Sequence, residues 1–156
     1  MIGVRGAGAA LAAALLFVSG TGRADVLQSA AQVVPKLAVT VETRNGPHRF
    51  EVEVARTAAE QARGLMFRTN LPANGGMLFT PYPAKGPPRE ASFWMKNTPS
   101  ALDLLFIRRD GTIASIAANA EAYSEAPYKS GEPVSAVLEI RGGRAAELGI
   151  AEGDKV

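Results

Sequence analysis

The chain has no cysteine, one histidine (His48) and one tryptophan (Trp94) in its 156 residues. Without cysteine there is no disulfide to staple a domain, no thiol nucleophile and no acylated lipid anchor. His48 lies beside Pro47 in what reads as a turn, where it is expected to face solvent. One imidazole cannot supply a zinc cage, and no serine sits in a nucleophile-elbow pattern. Gly75-Gly76 and Gly142-Gly143 lack the lysine and spacing of a phosphate loop, so they read as turns. No apolar stretch reaches the roughly 18 residues that a bilayer-spanning helix needs.

The longest apolar stretch, Ala7 to Val18, follows the basic Arg5 and leads into the small residues Gly22-Arg23-Ala24. That order is the grammar of a secretory signal peptide cleaved before Asp25. Residues 1–24 therefore read as a signal peptide, which predicts an exported protein in the periplasm with no membrane span after cleavage. The whole chain carries 17 Lys and Arg against 15 Asp and Glu. Cleavage would remove Arg5 and Arg23 and leave the charges balanced, so nucleic-acid binding, which depends on clustered cations, is not expected.

Residues 25–36 read as a tether, and 37–156 as a single β-rich domain. Residues 37–43 and 49–55 alternate apolar and polar as half-buried strands do, and Asn45-Gly46-Pro47 joins them as a hairpin. Thr57-Ala-Ala-Glu60 is a capping box for a short helix over 58–63 that ends at Gly64. Further strands are expected at 77–80, 92–96, 102–107, 112–117 and 134–140, with a helical turn at 144–148. The proline-rich stretches 80–90 and 118–133 read as loops. The expected fold is mainly β, a compact barrel or sandwich of six to seven strands with one or two short helices.

Gly64-Leu-Met-Phe-Arg68, Gly76-Met-Leu-Phe79 and Phe93-Trp-Met-Lys-Asn-Thr98 resemble, in order, the motifs of the family called domain of unknown function 192. Leu102-Asp-Leu-Leu-Phe106, Gly111-Thr-Ile113, Val137-Leu-Glu139, Gly142-Gly143 and Gly153-Asp154 continue the pattern. The resemblance implies a compact β-rich barrel or sandwich, often exported, and carries no agreed activity.

Asp103 and Glu139 fall among apolar residues on strands that read as buried on both faces. A buried carboxylate without a partner is costly, and the nearest partners by motif are Lys96, Arg68 and the amide of Asn97. The expected binding site is a polar pocket of Arg68, Lys96, Asn97, Asp103 and Glu139, roofed by Trp94. Its expected occupant is a small polar ligand. A carbohydrate hydrolase using Asp103 and Glu139 as acid and base is the alternative. A structural domain that contacts another envelope protein, its carboxylates held in ion pairs, is the third reading. Met66, Met77 and Met95 lie in apolar motifs and are expected to pack the core rather than hold copper. The sequence calls for no metal and no cofactor.

Overall fold

The computed structural model describes residues 34–156. The signal segment and most of the tether read from the sequence lie outside the described residues. Alternating side chains build two long strands first, β1 (Leu37–Thr43) and β2 (Gly46–Ala55), paired antiparallel. Their turn sits one residue earlier than the Asn-Gly motif suggested: Thr43 pairs with Gly46, so Arg44 and Asn45 make the bend. The Thr43 hydroxyl donates to the Gly46 carbonyl at 2.9 Å and holds it. His48 accordingly lies in β2, half-buried opposite Val41, and not in a turn.

The capping box forms as read. The Thr57 hydroxyl accepts from the Glu60 amide, and the Glu60 carboxylate accepts from Thr57 at 2.8 Å. It starts α1 (Ala58–Arg63), which Gly64 ends at positive φ. The chain returns as β3 (Gly75–Phe79), parallel to β2. Gly76 is required here, because a Cβ would strike the backbone carbonyl of Glu139 on the next strand.

β4 (Arg89–Phe93), β5 (Leu102–Ile107), β6 (Ile113–Ala120), β7 (Tyr128–Val134), β8 (Ala136–Arg141) and α2 (Arg144–Leu148) complete the order. The fold is thus mainly β, with eight strands where the sequence suggested six or seven. The added strand is β7, in the stretch read as a loop because it carries Gly131 and Pro133. It pairs only with β4, in a ladder whose register shifts between Glu90 and Ser92. At that irregularity the Ser130 hydroxyl accepts from the Ala91 amide at 2.8 Å. A side chain thus completes the pairing that the bulge interrupts. β4 also ends at Phe93, so Trp94 and Lys96 lie beyond the strand that alternation assigned them to.

Six strands form one curled sheet, β1-β2-β3-β8-β5-β6, and β4-β7 a second. Lys155 bridges Glu42 on β1 and Thr112 just before β6, tying the two edges together. The large sheet is apolar on both faces. One face packs Val41, Phe50, Leu105, Leu138 and Ile140 with Ala145 of α2. The other packs Phe79, Met95, Leu104, Phe106 and Val137. Each large side chain so buried contributes about 1.5–3 kcal/mol. Met77 and Met95 are core residues as expected, and Met66 is half-buried at the pocket described next.

Candidate functional site

β8 runs between β3 and β5, which sets Glu139 opposite Met77 on one side and Leu104 on the other. Its neighbour in register, Ile140, is opposite Asp103. Side chains alternate along a strand, so Glu139 and Asp103 emerge on opposite faces of the sheet. The two carboxylates expected to share one pocket are separated by the sheet itself.

Asp103 is fully buried and saturated. Oδ1 accepts from the Asn119 amide at 2.7 Å and the Gly143 amide at 2.9 Å, and Oδ2 accepts from the Ala145 amide at 2.7 Å. Gly143 begins α2 without a side chain to cap it. Asp103 supplies that cap from another strand, satisfying amides that the helix start leaves open. Its work is structural.

Glu139 is the reverse case. The residue is 5% exposed, and its Oε2 has no hydrogen-bond partner. Burial without compensation pushes its carboxyl up to about 8, so the group is neutral near pH 7. It lines a pocket of about 450 Å³. Phe79, Phe93, Tyr82, Met66 and Trp94 supply the apolar wall. Phe93 meets Phe79 edge-on at 5.1 Å and Tyr82 at 5.5 Å, which fixes the wall's shape.

Gln61 ties that wall to the rest. Its amide nitrogen donates to the carbonyls of Pro81 (2.7 Å) and Ala55 (3.2 Å), and its oxygen accepts from the Ala84 amide at 3.0 Å. The 80–84 segment is thereby fastened to α1. Nothing in the sequence separates Gln61 from the other polar residues of a short helix, so this role was not legible. The basic residues Arg63, Lys85 and Arg89 complete the lining and were likewise unmarked by any motif.

The other expected site residues take separate places. Trp94 is 49% exposed and lines the pocket, with the Lys96 ammonium 5.2 Å from its ring centroid. Lys96 is also 3.8 Å from Glu125, away from both buried carboxylates. Arg68 pairs with Glu53 at 2.6 Å and lines a second, smaller cavity of about 140 Å³. Asn97 lies outside the pocket lining; its carbonyl accepts from the Phe67 amide at 2.7 Å. Of the six residues expected to form one site, Trp94 and Glu139 share a pocket and the other four do not join them.

The segment bearing Trp94 and Lys96 is held at some cost. Phe67, Asn97 and Tyr123 all have positive φ, and Phe67 and Tyr123 donate their amides to the carbonyls of Asn97 and Thr98. Left-handed backbone costs roughly 1–3 kcal/mol at a bulky residue, and such strain collects at functional sites.

Among the described residues no group of three His, Cys, Asp or Glu could hold a metal ion, and no helix is long and apolar enough to cross a membrane. What remains is a β half-barrel that carries one aromatic pocket over a buried, unpaired carboxyl.

The chain belongs to the family described as uncharacterised ACR, domain of unknown function 192, whose model matches residues 39–156. It is similar to a protein of unknown function from Novosphingobium aromaticivorans at 50% identity and a TM-score of 0.73, over 77% of this chain and 83% of that one. A protein of Sinorhizobium meliloti, proposed as a transcription regulator, is 41% identical with a TM-score of 0.72, over 77% of this chain and 91% of that one. No curated protein matches.

Proposed function

We propose that this is an exported, periplasmic domain that binds a small ligand in the Trp94 pocket, with Glu139 as the polar anchor at its base. The observation that carries the reading is the Glu139 carboxyl, buried and unpartnered on Oε2 in an aromatic pocket. A buried polar group left unsatisfied costs about 1–3 kcal/mol, and native proteins keep few of them. A ligand that accepts the carboxyl's hydrogen bond removes that cost on binding. Aromatic walls with a few convergent polar groups are the usual make-up of small-molecule sites.

The hydrolase alternative needs two carboxylates facing one substrate, and Asp103 is committed to α2 on the far side of the sheet. The regulator role proposed for the Sinorhizobium protein is not carried over. α1 and α2 have six and five residues, too short for a groove-reading helix, and the charge from Asp25 onward is balanced.

The test is a screen of small polar compounds read on Trp94 emission, repeated on Glu139→Gln and Glu139→Leu. A true ligand shifts the emission, Gln keeps part of the response through its amide donor, and Leu abolishes it. An emission unmoved by every compound returns the domain to the structural, partner-contacting reading. Export is tested separately: intact mass of protein recovered from the envelope should begin at Asp25, and full-length chain in the cytoplasm would reject it.

A further inference from the structure

The pocket's lining is charged in one sense. Arg63 closes α1, Lys85 lies in the segment after β3, and Arg89 opens β4, yet all three line one cavity. The lining contains a single carboxyl, Glu139, and burial keeps that group protonated near pH 7. Nearby Glu60 is taken up by the amides of Arg56 and Thr57.

The three cations are also uncommitted. Arg49, Arg68, Arg108, Arg141 and Arg144 each pair with a glutamate, whereas Arg63, Lys85 and Arg89 make no ion pair or side-chain hydrogen bond among the described residues. Three unpaired cations around one mouth repel one another and raise the local concentration of anions. A cationic guest would meet three like charges and a neutral carboxyl.

We propose that the pocket takes an organic anion with a flat apolar body, the body lying against Tyr82, Phe93 and Trp94 and the anionic group held at the Arg63, Lys85 and Arg89 rim. This deepens the small-ligand reading of the same pocket and rests on it. Volume argues against a bare inorganic ion: about 450 Å³ is the range of organic ligands and far larger than a phosphate. The fixed aromatic wall favours a flat body, which gains from stacking or edge contact. At the far end the Glu139 carboxyl is left to meet a hydrogen-bond acceptor on that body.

Two dyes of nearly the same ring system separate the anion claim from the pocket claim: anilinonaphthalene sulfonate, an anion, and N-phenylnaphthylamine, which is neutral. Binding is read by energy transfer from Trp94, the sole indole, to the dye in the purified protein. The anion should bind about tenfold tighter than the neutral dye, a difference of about 1.4 kcal/mol. The Arg63→Ala/Arg89→Ala double variant should lose that advantage while binding the neutral dye as before. The control, Arg44→Ala/Arg109→Ala, removes two cations that do not line the pocket and should change neither affinity. Equal affinity for both dyes, or an anion affinity unmoved by the rim variant, overturns the anion claim and leaves the pocket standing. No energy transfer from Trp94 to either dye overturns the pocket reading and this inference with it.

Discussion

Asp103 and Glu139 are both buried carboxylates on neighbouring central strands of one sheet, and they have opposite fates. Asp103 faces the end of the sheet where α2 begins, and three backbone amides meet it. Glu139 faces the other side, where Met77, Leu104 and aromatic rings offer nothing to its second oxygen. Burial alone therefore does not separate a structural carboxylate from a candidate functional one. The hydrogen-bond account does, because a saturated group is finished and an unsatisfied one awaits a partner.

The sharpest way to break the contrast is through pH. Glu139 has its carboxyl raised from an ordinary 4.5 to about 8 in the fold. Between those values the unfolded chain has lost the proton and the folded one has not, so stability falls as pH rises through that window. Below 4.5 the group imposes no penalty, and above about 8 the penalty is complete, at most about 5 kcal/mol at 1.36 kcal/mol per unit. Glu139→Gln cannot ionise and should escape it. Urea unfolding from acid to alkaline pH should show wild type and variant diverging in the variant's favour, and parallel curves would reject the neutral buried carboxyl.

Asp103→Asn tests the other side. An amide offers one acceptor oxygen where three backbone N–H groups converge, and its own N–H faces donors. A loss of about 3 kcal/mol is expected, seen as a lower denaturation midpoint with ligand affinity unchanged once folded. A loss near zero would mean that the capping of α2 contributes little.

Gln61→Ala comes next. It removes three contacts that fasten the 80–84 segment, so stability should fall by about 1–2 kcal/mol. Hydrogen exchange at Ala84 should accelerate while that of β5 does not. Uniform acceleration would show that Gln61 serves the whole fold rather than the pocket wall.

Lys96→Met should have the smallest effect. The exposed pair with Glu125 and the contact with Trp94 are together worth under about 1 kcal/mol. Trp94 emission should shift while the melting temperature barely moves. A large destabilisation would restore Lys96 to the structural role that the sequence suggested.

Local pattern alone located much of this. Residues 37–43 and 102–107, the capping box at Thr57 and both short helices were legible because their signals lie within a few residues of chain. The apolar setting of strands 102–107 and 134–140 also marked both carboxylates as buried. β7 was not legible, since Gly131 and Pro133 argue against a strand, and only pairing with β4 and the Ser130 contact make one. Nor was the site's membership. Residue types near Trp94 suggested that Lys96, Arg68 and Asn97 would meet both acids, but the strand order β3-β8-β5 decides which side chains are neighbours. That order comes from contacts far apart in sequence. It puts Glu139 among apolar groups, turns Asp103 towards α2, and draws Arg63, Lys85 and Arg89 from three separate segments to one mouth. Sequence determined that this chain carries two buried acids; only the packing of distant strands decided which of them shares a space with unpaired cations.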